Sequence, residues 1–146
     1  MFMTEPANSV FIRNTQGYKI EIKCREHSLT ADESMENGGT DTGPNPYELL
    51  LSSLGSCKAM TMRMYAHRKN IPLRNIIIRL SHNKIYAEDC ENCETKVGKI
   101  DSIDVEIKLI GELTPEQRQS LLNISEKCPV HRTMMSEVKI NSELIR

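Results

Sequence analysis

The sequence predicts a single domain, residues 1–146, that combines strands with helices. Three observations lead to this prediction. Several short stretches alternate apolar and polar residues, as half-buried strands do. Two other stretches begin with strong helix-capping signals. Hydrophobic residues make up 38% of the chain and charged residues 27%, a balance typical of a globular protein.

The N-terminal third predicts a small antiparallel sheet. Residues 10–13 and 18–24 alternate with strand period, and residues 14–17, Asn-Thr-Gln-Gly, are a hairpin signal between them. Residues 27–31 give a weaker strand pattern. Residues 32–45 carry Asn-Gly-Gly, Thr-Asp-Thr-Gly and one Pro, and they predict a long loop; loops of this length tend to be functional or mobile.

The first helix has a clear start. Asn45 suits the N-cap, Pro46 suits the first helical position, and Glu48 completes a capping box. The pattern predicts a helix to about Lys69. Five residues recur at four-three spacing and predict one buried stripe, which makes Cys57 largely buried; they are Leu50, Leu54, Cys57, Thr61 and Met64.

The second half of the chain predicts two long strands and a capped helix. Residues 76–87 and 103–110 have strand character, and a polar connection lies between them. Thr114, Pro115 and Gln117 open a second helix that continues to Lys127.

A proline ends that helix and begins the next one. Pro129 cannot continue a helix without a break, but it suits the start of a short new helix with Cys128 near its N-cap. Residues 138–145 then predict a closing strand.

Charge and composition exclude several classes of function. The formal net charge is −1 with both signs interspersed, which argues against a nucleic-acid partner. Residues 1–8 lack the features of a secretory signal, and no apolar run approaches the ~18 residues of a membrane span. We therefore expect a cytoplasmic protein with no membrane partner. In that compartment its five cysteines indicate free thiols, redox chemistry or metal binding rather than a disulfide framework.

Two of the cysteines have distinctive surroundings. Cys128 at a helix start would gain thiolate character from the helix dipole and from Lys127, His131 and Arg132. It could equally be a packed helix-end residue. Cys57, three turns into its helix, resembles a core residue and would need a cation or hydrogen-bond donor to become a nucleophile.

Cys90 and Cys93 form a CxxC pair in the polar connection. A zinc site needs four ligands, of which this pair supplies two, and His82 with a nearby carboxylate could supply the others. A redox relay and a plain exposed loop are the alternatives. Among the four histidines, His131 is of interest because it lies near Cys128 in the sequence.

A family resemblance rests on two motifs. The stretch from Gly43 to Cys57, Gly-Pro-Asn-Pro-Tyr-Glu-Leu-Leu-Leu-Ser-Ser-Leu-Gly-Ser-Cys, followed downstream by Lys127-Cys-Pro-Val130, resembles the OsmC/Ohr family. These are osmotically inducible and organic hydroperoxide resistance proteins. The resemblance implies an α+β OsmC-like fold: antiparallel sheets, a long central helix, a second helix ending in Cys-Pro, and an intertwined homodimer with its sites at the subunit interface.

The same resemblance implies an activity. Cys57 would be the peroxidatic cysteine that reduces an organic hydroperoxide, and Cys128 would resolve the resulting sulfenic acid to a disulfide. A dithiol, either a lipoyl group or a thioredoxin-type reductant, would restore the pair in oxidative-stress defence. No metal or other cofactor is implied.

The chain departs from the family pattern in two functional respects. Strongly active members pair an arginine from the loop before the central helix with a glutamate ten residues ahead of the first cysteine. Tyr47 occupies that glutamate position, and residues 26–46 contain no arginine. The candidate supporting groups are Tyr47, Glu48, Arg25, Arg63, Arg132 and His131.

Two other functions fit the same sequence. One is a non-catalytic redox sensor or a protein that binds an apolar small ligand in a methionine-rich pocket. The other is a zinc-binding module built on Cys90 and Cys93.

Overall fold

The structure is a computed structural model that describes residues 8–146. The prediction of no secretory signal rests mainly on residues 1–7, which lie outside the described residues. The chain divides into two compact units, residues 1–50 and 51–146. Within residues 8–146, none of the helices combines the length and hydrophobicity that a membrane crossing requires.

The first unit contains a three-stranded antiparallel sheet. Its strands β1 (Phe11–Asn14), β2 (Ile20–Cys24) and β3 (His27–Ala31) lie in the order β1-β2-β3. The weaker third strand is therefore confirmed. In the predicted hairpin, Asn14 Nδ2 donates to Gly17 O at 3.0 Å and Gly17 has a φ of 58°, a conformation that glycine adopts readily.

The loop after β3 is organised around one carboxylate. Asp32 is buried, and its Oδ2 accepts hydrogen bonds from the hydroxyl groups of Thr40 (2.6 Å) and Thr42 (2.7 Å) and from the backbone N–H of each. These bonds, that of the Thr40 hydroxyl first, hold the pKa of Asp32 far below its usual range. Asp32 therefore joins the start of the predicted long loop to Thr40 and Thr42 near its end.

The first helix α1 spans Pro46–Arg68 and begins as predicted. Asn45 Oδ1 accepts from the Glu48 N–H at 2.8 Å, and Glu48 Oε1 accepts from the Asn45 N–H at 3.0 Å. These reciprocal bonds complete the capping box.

The predicted buried stripe of α1 is displaced. The buried residues are Leu54, Lys58, Met62 and Ala66, which follow four-residue spacing, and Gly55 beside them. Leu50 and Met64 are exposed, and Cys57 is intermediate between buried and exposed, so the stripe is displaced while Cys57 stays partly buried. The reason is the packing of α1: a Cβ on Gly55 would lie 2.7 Å from Leu80 Cδ1, so the helix packs closely against Leu80 at this position.

The second unit is built on a long β-hairpin. Strands β4 (Leu73–Tyr86) and β5 (Lys99–Gly111) pair antiparallel, with Leu80 opposite Val105 and Lys84 opposite Asp101. Both strands are longer than predicted.

Two further helices follow the hairpin. Helix α2 (Pro115–Ser125) has the predicted Thr114–Gln117 capping box, and helix α3 (Pro129–Met134) has Cys128 as its N-cap. The buried core of this unit consists of Met62, Ala66, Leu73 and Leu121.

The predicted closing strand is absent from the described chain. Residues 138–145 have no assigned strand, and Ile140 and Leu144 are 84% and 99% exposed. Their alternation suits a strand, but a strand requires a neighbouring strand for its backbone hydrogen bonds. Within residues 8–146 this segment pairs with no strand.

Candidate active site

The turn between α2 and α3 positions Cys128. Its backbone N–H bonds to Ser125 O at 3.4 Å, and Pro129 then starts α3. The thiol is fully buried, and its Sγ accepts from the backbone N–H of His131 at 3.4 Å. Cys128 thus caps α3 with sulfur in the place where a serine or aspartate oxygen is more common.

Cys57 meets the same helix from α1. Its Sγ accepts from the backbone N–H of Val130 at 3.5 Å. Val130 and His131 are consecutive, so one pair of adjacent amides holds both sulfurs. Both cysteines are free thiols, and Cys57 is partly exposed whereas Cys128 is not. The structure therefore brings together the two cysteines that the sequence singles out.

The environment of Cys128 disfavours its charged form. Burial raises the pKa of the Cys128 thiol above its ordinary value of 9.0, and the neighbouring Cys57 thiol raises that pKa further. The His131 N–H and the Lys58 charge act in the opposite direction. The predicted contribution of the helix start is present, but burial outweighs it.

A buried lysine completes the cluster. The side chain of Lys58 is 1% exposed, and its Nζ lies 3.1 Å from Ser125 O, 3.0 Å from His131 Nδ1 and 3.5 Å from Glu126 Oε1. An ammonium has three donors and no acceptor, so these three acceptors satisfy it. Because an ammonium can only donate, His131 Nδ1 is the acceptor in this contact.

Lys58 is not among the site residues predicted from the sequence. The signal was its position, four residues from both Leu54 and Met62, on the face of α1 that the structure buries. A lysine on a buried helical face is rarely without a charged or polar partner.

A cavity of about 440 Å³ adjoins this cluster. Lys58 and His131 form part of its wall, together with apolar side chains and the carboxylates of Asp101, Asp104 and Glu126. The remaining lining residues are Leu54, Ile103, Val105, Met134 and Met135. Its wall therefore combines apolar and charged side chains beside the buried lysine.

Three of the other candidate supporting groups belong to the first unit. Arg25 has a φ of 54° in the turn between β2 and β3, and Tyr47 and Glu48 lie in the first turn of α1. All three belong to the first unit, residues 1–50.

The two later arginines have different surroundings. Arg132 is exposed on α3. Arg63 donates to the carbonyl oxygens of Leu73 (2.6 Å) and Arg74 (2.9 Å). His131, which was also predicted, contacts both Lys58 and Cys128 in the thiol cluster.

The two cysteines of the CxxC pair are bonded to each other. Cys90 and Cys93 form a disulfide with their Cα atoms 5.6 Å apart, and His82 Nε2 lies 2.8 Å from Asp101 Oδ1. Among residues 8–146, no group of three or more His, Cys, Asp or Glu side chains is arranged to hold a metal ion. The described residues therefore contain no set of ligands for the zinc site predicted at Cys90 and Cys93.

Known structures share this fold. An OsmC-like protein from Mycoplasma pneumoniae is 15% identical, covers 90% of this chain and 89% of its own, and superposes with a TM-score of 0.71. The organic hydroperoxide resistance protein OsmC of Legionella pneumophila is 18% identical, with coverages of 89% and 91% and a TM-score of 0.61. The organic hydroperoxide resistance protein OhrB of Bacillus subtilis is 17% identical, with coverages of 88% and 92% and a TM-score of 0.59.

The sequence itself matches one family. No curated protein matches it significantly. The family model described as OsmC-like protein matches residues 39–143, which include α1, the β-hairpin and both thiols. The α+β fold predicted from the sequence is confirmed by the structure and its neighbours. The chain therefore belongs to the OsmC-like protein family.

Proposed function

We propose that this protein is a cytoplasmic thiol peroxidase that reduces organic hydroperoxides through Cys57 and Cys128 in oxidative-stress defence. The observation that carries the proposal is the meeting of the two free thiols at adjacent amides, Val130 N–H and His131 N–H. Family membership and neighbours named organic hydroperoxide resistance proteins support it.

The difference in exposure supports the division of roles. Cys57 is partly exposed, so a peroxide can approach its sulfur, whereas Cys128 is fully buried. The Cys57 thiolate attacks one oxygen of the O–O bond, which breaks; the sulfur is oxidised to a sulfenic acid and the peroxide leaves as an alcohol after taking a proton. The Val130 N–H is positioned to donate to the charged sulfur.

The second half of the cycle uses Cys128. Its sulfur attacks Cys57, the S–O bond breaks, a disulfide forms, and the hydroxyl group leaves as water with the Cys128 proton. An external dithiol of the lipoyl or thioredoxin type then reduces the disulfide and is itself oxidised to a disulfide. Every step uses only the two cysteines, the peroxide and the dithiol.

We also propose that the protein acts as a homodimer. The support is apolar surface on the single chain. Phe11 and Ile12 of β1 are 50% and 53% exposed, and Ile140 and Leu144 of the C-terminal segment are exposed as well. A second copy could cover such residues and pair with the unpaired segment. Sedimentation of the intact chain and of a chain ending at Glu137 tests this: we expect a dimer that the truncation weakens.

Steady-state consumption of cumene hydroperoxide with a dithiol donor tests the peroxidase. We expect turnover by the wild type and none by Cys57→Ser. Cys24→Ser is the matched control, because Cys24 is also a partly buried free thiol but belongs to the first unit. Full activity in Cys57→Ser would rule out the proposal.

The same assay separates a peroxidase from a redox sensor. A sensor would form one Cys57–Cys128 disulfide per chain and would not cycle with the dithiol donor. Mass spectrometry of the oxidised chain, combined with the turnover number, distinguishes these outcomes.

A further inference from the structure

Lys58 is a buried cation that has no role in the proposed cycle as described above. Its side chain is 1% exposed and is held by Ser125 O, His131 Nδ1 and Glu126 Oε1. Lysines are rarely buried to this degree unless they are paired, and its only acidic partner, among the pairs described for residues 8–146, is Glu126, whose side chain is 56% exposed. The positive charge is therefore more deeply buried than its counter-charge.

Two residues connect Lys58 to Cys128. The carbonyl oxygen of Ser125 accepts from both Lys58 Nζ at 3.1 Å and the Cys128 N–H at 3.4 Å. His131 contacts Lys58 through Nδ1 and donates its backbone N–H to Cys128 Sγ. Lys58 and Cys128 thus share two hydrogen-bonding partners: Ser125 O, which the Cys128 backbone N–H contacts, and His131, which the Cys128 sulfur contacts.

We propose that Lys58 is a positioning residue for the resolving step: its ammonium stabilises the negative charge that Cys128 Sγ develops as it attacks the Cys57 sulfenic acid. This inference rests on the proposed peroxidase function. In the step, the S–O bond of Cys57 breaks, the disulfide forms, and the Cys128 proton leaves with the hydroxyl group as water. A buried cation suits this role, because at a given distance two charges interact more strongly in the low dielectric of a protein interior than in water.

The need for such a cation follows from the burial of Cys128. Removal from water disfavours a thiolate, and Cys128 is fully buried beside a second thiol. The charged and titratable groups around it are Cys57 and Lys58 on α1, Glu126 before α3 and His131 on α3, and Asp101 and Asp104 of β5 line the adjoining cavity. Lys58 is the buried cation in this set, and Glu126 partly offsets its field.

Two substitutions should therefore act in opposite directions. Lys58→Met removes the positive charge and keeps an unbranched chain. Glu126→Gln removes the counter-charge at a half-exposed position and leaves Lys58 in place. A purely structural role for the cluster would make both variants slower or leave both unchanged.

The experiment follows the resolving step itself. Each variant receives one equivalent of cumene hydroperoxide, and rapid quenching with mass spectrometry measures conversion of the Cys57 sulfenic acid to the Cys57–Cys128 disulfide as a function of pH. We expect Lys58→Met to slow the step about tenfold at neutral pH and to move the profile to higher pH. Lys58→Arg should retain most of the rate, and Glu126→Gln should move the profile to lower pH.

A second readout is independent of peroxide chemistry. In a Cys24→Ser, Cys57→Ser background, ultraviolet absorbance of the thiolate titrates Cys128 directly. We expect a higher midpoint with Lys58→Met and a lower one with Glu126→Gln. If the protein consumes no peroxide, the proposed function fails while this titration still decides the effect of Lys58.

The contrary results are equally defined. Unchanged midpoints, or shifts in the same direction for both variants, overturn the inference, as does a resolving rate within about twofold of wild type in folded Lys58→Met. If Lys58→Met does not fold, Glu126→Gln decides alone: a downward shift supports the role of Lys58, and no shift or an upward one overturns it.

Discussion

The Sγ atom of Cys57 lies 3.5 Å from the backbone nitrogen of Val130, a residue 73 positions away in the chain. This contact brings a helix-interior thiol to the start of another helix, where the N–H groups of the first turn have no partner within the helix. The third-turn position of Cys57 gives it little from its own helix dipole. The donor that it requires comes from α3 instead.

The first prediction concerns the fate of the oxidised Cys57. In Cys128→Ser, the hydroxyl group can still accept from the His131 N–H, but it cannot form a disulfide. We expect one equivalent of peroxide to convert Cys57 to a sulfenic acid that persists, and turnover with a dithiol donor to fall by orders of magnitude. Trapping with dimedone followed by mass spectrometry measures it. Rapid loss of the sulfenic acid in this variant would argue against Cys128 as the resolving thiol.

The second prediction concerns Asp32 and pH. Its pKa is lowered in the folded state, chiefly by the Thr40 hydroxyl, so the ionised carboxylate stabilises the fold. That contribution is complete above the ordinary aspartate value of 3.8 and is lost as the pH falls below it. Asp32→Asn should therefore lower Tm at pH 7, and the difference from wild type should shrink in acid.

Asp41→Asn is the control for Asp32→Asn. Asp41 is an exposed residue of the same loop with a φ of 53°, which asparagine tolerates. Thermal unfolding at several pH values should show a several-fold smaller change for Asp41→Asn. An Asp32→Asn deficit that stays constant in acid would contradict the assigned role of the carboxylate.

The third prediction compares two methionines of α1. Met62 is fully buried in the core with Leu73 and Leu121, whereas Met60 is 60% exposed. Met62→Ala should lower the free energy of unfolding by about 2–5 kcal/mol, because it removes buried surface and leaves a cavity. Met60→Ala should change it by no more than about 0.5 kcal/mol. Denaturant titration of both variants measures the difference. Equal losses of stability would contradict the burial of the Met62 face of α1.

Local patterns predicted most of the fold and part of the site. The Asn45–Glu48 capping box and the Cys128-Pro129 helix start are short-range signals, and the structure has both. Lys58 was not predictable in the same way, because its partners Ser125 and His131 lie 67 and 73 residues away.

The errors also have a physical basis. Four-three spacing defines a helical stripe only to within about one residue. The face of α1 that the structure buries is therefore centred on Lys58, whereas the predicted face contained Cys57. The alternation in residues 138–145 describes a strand but does not supply the neighbour that it needs.

The last prediction concerns the Cys90–Cys93 disulfide. The cross-link closes a ring of three-residue separation within a loop that the Ala87 N–H and Gly98 O already join at 2.8 Å. Chain-entropy arguments limit the stabilisation by such a short ring to about 2 kcal/mol. The Cys90→Ser, Cys93→Ser double variant should therefore unfold within that margin of wild type in denaturant. Its peroxide turnover should match wild type, because the proposed cycle uses Cys57 and Cys128 alone. A loss of turnover with unchanged stability would instead place the CxxC pair in the path of electrons from the dithiol donor.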